Sequence, residues 1–381
     1  MRAERFVERL QEIGIHHLIG VPDSTLKPFC AYINAQEKGS LQHYVPANEG
    51  SAVGIATGIY LGKGEISCVY MQNSGLGNIV NPVTSLIREE IYRIPMLFLV
   101  GWRGEPGVHD EPQHKYMGKI TESLLEVLGM EYSVLDAGMT EEQIRKIFLL
   151  AQKTLSNKRQ YAILVKKGCF ETEVVESYQN RYNLNREKVI AHILSGLKKD
   201  DIVVSTTGKI SREVYEQSDQ ILGQHEQFFL TVGGMGHASM IAFGIAQARN
   251  EQTVYCLDGD GAVLMHMGGL AFLGQQKLSN LIHICLNNQA HESVGGMPTG
   301  AVDVCYADVA KACGYEKTYC AENKDELEKV LKEARDAQKL CFIEIRVAIG
   351  SRNDLGRPKE TAEENKRKFM SYHGVQEKKN E

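Results

Sequence analysis

The sequence contains no run of about 18 apolar residues, the length that a membrane-spanning helix needs, so no span is expected. It contains no CxxC pair. Its nine cysteines are an odd number, and Cys68, Cys256 and Cys285 stand inside apolar runs. They read as buried thiols of a reducing cytoplasm, not as a disulfide or zinc framework. A basic excess is also missing: 43 Lys+Arg face 48 Asp+Glu, a net charge of −5. Nucleic acid and anionic membranes therefore find nothing to attract them, and neither is expected as a partner. Residues 1–12 mix acids and bases and lack the apolar core of a signal peptide. No GxGxxG follows a strand, which removes the dinucleotide fingerprint. What remains is ordinary for a globular protein, with 43% hydrophobic and 24% charged residues, and excludes disorder, collagen and a coiled-coil rod. A chain of 381 residues is long enough for two or three domains, each with its own core.

Short apolar runs alternate with helical patterns along the chain. Strands are expected at 17–21, 44–45, 66–71, 95–101 and 161–165, with helices at 2–13, from about 25, from about 49, at 77–90 and at 140–154. Residues 171–185 are polar and poor in core residues, and read as a linker. The alternation then restarts, with strands at 202–205, 228–231, 254–257, 281–286 and 341–347. Helices are expected at 186–197, 211–222, 237–250, 266–276 and 325–337. Short buried strands between helices predict an α/β chain of two doubly wound parallel-sheet domains, residues 1–170 and 186–381. The charged tail from 352 to 381 reads as a surface helix ending in disorder.

The most informative segment is Asp258-Gly-Asp-Gly261 at one strand end and Asn287-Asn288 at another, one strand–helix–strand unit later. In a parallel sheet both ends open on the same carboxyl edge, where ligands bind. The Asp260 carboxylate and the Asn288 amide oxygen suit a hard divalent cation such as Mg²⁺, which would take phosphate oxygens as further ligands. Gly259 and Gly261 let the backbone approach a phosphate closely. Alone, Gly-Asp-Gly is also an ordinary tight turn.

The pair resembles the thiamine diphosphate motif, GDG followed one such unit later by NN. That resemblance implies thiamine diphosphate and Mg²⁺ as cofactors, with Asp260 and Asn288 as side-chain ligands and Ala290 as a carbonyl ligand. It implies that Met235, between Gly234 and Gly236, supports a bent cofactor, although a core methionine is the plain alternative. Thr206-Thr207-Gly208 resembles a segment that contacts the cofactor, and also a helix N-cap. In the first half, Ala47-Asn48-Glu49 opens a helix rich in small residues and resembles the glutamate helix of a pyrimidine-binding domain. By that likeness Glu49 holds the pyrimidine N1′. A first-turn glutamate also complements a helix dipole. The turn Gln72-Asn73-Ser-Gly-Leu-Gly-Asn78 then forms a wall facing the cofactor.

Finer signatures resemble the phosphonopyruvate decarboxylase family, a two-domain form of the thiamine decarboxylases that lacks their middle domain. They are Gly20-Val-Pro-Asp-Ser24, Asp110-Glu-Pro-Gln-His-Lys-Tyr-Met-Gly118, the segment from Leu286 to Thr299, and Asp354-Leu-Gly-Arg-Pro358. The resemblance implies conversion of 3-phosphonopyruvate to phosphonoacetaldehyde and CO₂ in phosphonate biosynthesis, with the cofactor carrying the electrons and the protein managing protons. Sulfopyruvate decarboxylation is the neighbouring alternative; a catalytically silent binding subunit and a flavodoxin-like nucleotide binder are more distant ones. His114 and His291 are candidate acid–base groups. Asp23 and Ser24 are candidates too, with a helix N-cap as the competing role. Lys27, Arg103, Lys115, Arg352 and Arg357 are candidate cations for the phosphonate. The resemblance also implies a homodimer or higher homo-oligomer in which each cofactor lies between chains.

Overall fold

The structure, a computed structural model, describes residues 1–36, 39, 41–300 and 302–376. Its strands are short and almost wholly apolar. Met96–Gly101 (β4) and Gln160–Val165 (β6) are buried along their whole length, as strands covered on both faces must be. Alternate residues feed opposite core layers: Leu97 and Leu99 join one cluster, Met96, Phe98 and Val100 the other. The rest of this sheet is His17–Gly20 (β1), Gln42–Tyr44 (β2), Ser67–Gln72 (β3) and Glu131–Leu135 (β5). Its order is β2-β1-β3-β4-β6-β5, and every pair is parallel.

The second sheet comprises Ile202–Ser205 (β7), Phe228–Leu230 (β8), Val254–Gly259 (β9), Leu281–Asn287 (β10), Lys317–Ala321 (β11) and Cys341–Arg346 (β12). Its order, β11-β12-β10-β9-β7-β8, is the first order read from the other end, and again every pair is parallel. Ile282, Ile284 and Leu286 face one core layer, Leu281 and Cys285 the other. The chain therefore builds one doubly wound topology twice.

Two compact units result: Met1–Tyr178 with His291–Gly300, and Gln179–Ala290 with Ala301–Glu381. The chain passes from the first to the second inside the stretch 171–185, which forms no helix or extended strand. Residues 291–300, expected with the second half, pack with the first, where Met297 is buried in the core cluster of Phe6, Phe29 and Phe170.

Five elements escape the sequence pattern: helices Pro112–Val127, Asp260–Met265 and Tyr306–Ala312, and strands β5 and β11. Both strands lie at a sheet edge, where all but the last residue is at least partly exposed, so Glu-Tyr-Ser-Val-Leu and Lys-Thr-Tyr-Cys-Ala show no apolar run. The single helix expected at 77–90 is instead a 3₁₀ turn, Asn73–Gly75, a helix Leu76–Pro82 and a wide turn Val83–Ile87. Pro82 has no amide hydrogen to carry the helical ladder, and Arg88 leaves in an extended conformation. In the tail, Ala362–Tyr372 is a helix opened by a Thr361–Glu364 capping box, while 377–381 lie outside the described residues. All nine thiols are unpaired, with Cys68, Cys256 and Cys285 fully buried. No helix among the described residues is long and apolar enough to cross a membrane.

The strand order fixes where ligands can bind. It reverses direction between β1 and β3, and between β7 and β9, and the carboxyl side of such a switch point is where open α/β sheets bind ligands. Asp23 and Ser24 follow β1, and Gln72 ends β3. Thr206, Thr207 and Gly208 follow β7, and Asp258 and Gly259 end β9.

Candidate active site

In the first unit, helix Glu49–Lys63 starts just beyond β2. Its N-cap is Asn48, whose side chain accepts from the Ser51 amide at 2.9 Å. Ala52 and Ala56 are buried, and their small size lets the helix lie close to the sheet. Glu49 is thereby 5% exposed. Its Oε2 accepts from Asn78 Nδ2 at 2.6 Å. Gly75 stands against the other oxygen, since a Cβ there would lie 2.5 Å from Oε1.

At the β1–β3 switch point, Asp23 is fully buried. Oδ2 accepts from the Thr25 and Leu26 amides, so it caps the turn, and Oδ1 accepts from Gln72 Nε2 at 2.8 Å. Burial pushes its carboxyl above the ordinary range, against those hydrogen bonds and the Arg103 charge. Arg103 follows β4 and donates from Nη1 to Ser24 Oγ at 2.7 Å. It also grips Asp110 with Nε at 2.7 Å and Nη2 at 2.5 Å. Burial opposes ionisation of Asp110, but the Arg103 and Gly104 hydrogen bonds hold its carboxyl at about 2.

His114 lies in the first turns of helix Pro112–Val127, close enough to Arg103 and Asp110 to feel both charges. Burial, then the Arg103 charge, brings its imidazole down to about 4. His291 comes on the segment 291–300, and its buried Nε2 has no hydrogen-bond partner. Burial likewise lowers it to about 4. Both rings are neutral near pH 7. Asn73 is buried and its amide is committed: Nδ2 donates to the Arg103 carbonyl and Thr121 Oγ1, and Oδ1 accepts from the Arg103 amide.

In the second unit, β9 runs into Gly259 and a helix that begins at Asp260. Asp260 is 4% exposed, and its Oδ2 is buried without a hydrogen-bond partner. Burial pushes its carboxyl up to about 7, against hydrogen bonds from the Gly261 and Asn288 amides. On the adjacent strand, β10, Asn287 donates to Glu344 Oε1 and accepts from the Gln289 amide. Asn288 Oδ1 accepts from the Ala290 amide at 3.1 Å, and the Asn288 carbonyl accepts from Asn180. Gln289 takes a left-handed φ of 59°, which turns the chain between Asn288 and Ala290.

Thr206 is buried, and Thr207 Oγ1 donates to the Val232 carbonyl. Gly208 has φ 95°, and helix Lys209–Leu222 has no side-chain cap, so the segment does not act as an ordinary threonine cap. Gly234 and Gly236 both take left-handed φ. Met235 between them is half-buried and belongs to none of the core clusters.

Sequence reasoning passed over Asn78 as an individual residue, although its turn was singled out. It also missed a buried chain in which Tyr315 Oη meets His283 Nδ1, His283 Nε2 meets Asp258 Oδ2, and Asp258 Oδ1 accepts from the Gly259 amide. His283 sits inside an apolar strand, where a lone histidine gives little signal. Of the candidate cations, Arg103 is paired as described, and Arg352 pairs with Glu187, Glu216 and Asp354. Lys27 and Lys115 are exposed and make no ion pair among the described residues.

A buried carboxylate oxygen without a donor is what a hard cation satisfies, and the Asn288 amide reaches the same carboxyl from just past the adjacent strand. Residues 2–124 match the family model for the thiamine pyrophosphate enzyme N-terminal TPP binding domain, and residues 213–345 match the model for the C-terminal TPP binding domain. The chain is therefore a thiamine pyrophosphate enzyme carrying both cofactor-binding domains. A phosphonopyruvate decarboxylase of Streptomyces viridochromogenes is 34% identical, covering 97% of this chain and 94% of that protein. One from Streptomyces hygroscopicus is 33% identical over 95% and 92%. A sulfopyruvate decarboxylase of Methanosarcina acetivorans is 28% identical over 96% of each. The chain belongs to the phosphonopyruvate decarboxylase family of thiamine-dependent decarboxylases, and is a lyase.

If Asp260 receives a cation, its raised carboxyl sets a pH dependence: below about pH 7 the entering cation would have to displace a proton. The apparent affinity for Mg²⁺, measured by calorimetry with thiamine diphosphate present, is expected to be about tenfold weaker at pH 6 than at pH 8. An affinity independent of pH in that range would show that Asp260 does not receive the metal.

Proposed function

We propose that this decarboxylase converts 3-phosphonopyruvate to phosphonoacetaldehyde and CO₂, with thiamine diphosphate and Mg²⁺, in the cytoplasm as a step of phosphonate biosynthesis. The observation that carries the substrate reading is the near-complete match to two phosphonopyruvate decarboxylases, at higher identity than the near-full-length sulfopyruvate decarboxylase of Methanosarcina acetivorans. When bound, the cofactor supplies a nucleophilic carbon and an electron-accepting ring.

The protein's own residues do the rest. Asp260 and Asn288 offer side-chain oxygens and Ala290 a carbonyl to the metal, while Gly259, Gly261 and Thr206-Thr207-Gly208 line the diphosphate. Gly234 and Met235 support the cofactor; a half-buried methionine outside the core is available for this. Glu49 holds the proton at N1′. Asn73 acts through Arg103, whose backbone it pins, and Arg103 in turn orients Ser24. Asp23, whose carboxyl burial raises above the ordinary range, is placed to handle a proton at the switch point. His114 and His291 are neutral and accept a proton first; an anionic substrate nearby offsets the burial penalty and stabilises their charged form.

Glu49→Gln keeps the shape of the side chain and removes its charge. Turnover is expected to fall about 10²–10⁴-fold, with cofactor binding retained. Exchange of the cofactor C2 proton at the wild-type rate, followed by NMR, would sink the assignment.

A pocket built for a dianion leaves its donors unpaired when a methyl group arrives, and such mismatches discriminate strongly. Phosphonopyruvate is therefore expected to exceed pyruvate in kcat/KM by about 10⁴-fold. Equal values would reject the substrate reading, and a preference for sulfopyruvate would favour the alternative.

Glu49 and Asp260 belong to different units, and we take a cofactor's two faces from two chains of a homo-oligomer. In a hybrid of Glu49→Ala and Asp260→Ala chains, one site carries both lesions and the other neither. Tagged hybrids purified after co-expression should regain activity that neither variant has alone. Inactive hybrids, beside active tagged wild-type dimers, would assign each site to a single chain.

A further inference from the structure

Glu49 is held by two neighbours that the cofactor itself does not require. Asn78, in helix Leu76–Pro82, donates from Nδ2 to Glu49 Oε2 at 2.6 Å. The other oxygen, Oε1, has no hydrogen-bond donor among the described residues. Gly75 packs directly against it: a methyl group there would stand 2.5 Å from Oε1 and 2.7 Å from the carboxyl carbon. The same short turn is pressed against the helix that carries the glutamate, since a Cβ on Gly50 would lie 3.1 Å from the Asn78 carbonyl oxygen. One oxygen is thus tied, the other sits where only a glycine leaves it a place, and the turn that does both is fixed against the backbone it serves.

We propose that Asn78 is a positioning residue: by holding Oε2 it keeps Oε1 as the oxygen offered to N1′ of the bound cofactor, and Gly75 preserves the space in which Oε1 sits. The inference rests on Glu49 being the N1′ partner. A terminal carboxylate rotates in a broad, roughly two-fold well, so without its tether it spends time turned away from its target. Misplacement of a reacting group by about 1 Å costs on the order of 10²-fold in rate. Asn78 itself is exposed on the first unit, so little stability depends on its side chain.

The test uses the full chain with thiamine diphosphate and Mg²⁺. Asn78→Asp keeps the shape but puts an acceptor where the donor was; Asn78→Ala removes both. Three quantities are measured: C2-proton exchange of the bound cofactor by quenched NMR, cofactor Kd by calorimetry, and the thermal midpoint. Exchange is expected to slow by about 10–100-fold in both variants, while Kd changes less than about threefold and the midpoint stays in place. In a Glu49→Gln background, Asn78→Ala should add no further loss, because the two act as one unit. Gly75→Ala, which crowds Oε1 from the opposite side, should reproduce the slow exchange. Wild-type exchange in Asn78→Ala, with Glu49→Gln inactive, overturns the role of Asn78 and leaves Glu49 standing. An additive loss in the double variant overturns it too. Wild-type exchange in Glu49→Gln removes the assignment on which the inference depends. If Asn78→Ala lowers the midpoint, Asn78→Ser is judged by the same exchange and Kd criteria.

Discussion

A parallel sheet gathers the carboxyl ends of all its strands on one edge, and everything chemical in this chain depends on that constraint. In the first unit the ends of β1, β3 and β4 bring Asp23 to Gln72 and Ser24 to Arg103 within hydrogen-bonding distance, although 49 and 79 residues separate them along the chain. In the second, β9 and β10 place Asp260 beside the amides that follow Asn287. Because the chain winds the same topology twice, each unit has its own switch point, and the residues expected from the thiamine motifs flank both.

Burial tunes the titratable groups at the first unit's edge. Arg103 and Asp110 pair, while burial raises the Asp23 carboxyl and lowers the His114 and His291 imidazoles. A charge brought to so sheltered a surface interacts more strongly than it would in water. Burial plays a different part at Asp260. There a carboxylate oxygen is left without any protein donor, a costly arrangement unless a cation or a proton satisfies it.

How much of this could be read from the sequence follows burial. The central strands were legible because both faces are covered and the residues are uniformly apolar, as in Met-Leu-Phe-Leu-Val-Gly of β4. The edge strands β5 and β11 were not, because one-sided burial leaves a mixed pattern. The Asp260 and Asn288 pair was visible because Gly-Asp-Gly and Asn-Asn are distinctive residue combinations at strand ends. Asn73 was visible only as part of a turn; that its amide is spent on the Arg103 backbone depends on a contact thirty residues away. Nor could a pattern show that Arg103 is neutralised by Asp110, since an arginine reads as a free cation until its partner is placed. The segment 291–300 is the plainest case: proximity in sequence to the metal loop suggested the second half, but Met297 fills a hole among the aromatic rings of the first.

That segment makes the chain less divisible than two matching halves suggest. A polypeptide cut between Tyr178 and Gln179 would not yield two self-sufficient pieces. The N-terminal fragment would lack Met297 and leave a gap in its core, while the C-terminal fragment would carry ten residues, His291–Gly300, whose packing partners lie on the other piece. Fragment complementation would have to rebuild that packing across the break, with Met297 re-entering the first piece's core from the second. The borrowed loop is a covalent tether that commits the second half to being made together with the first.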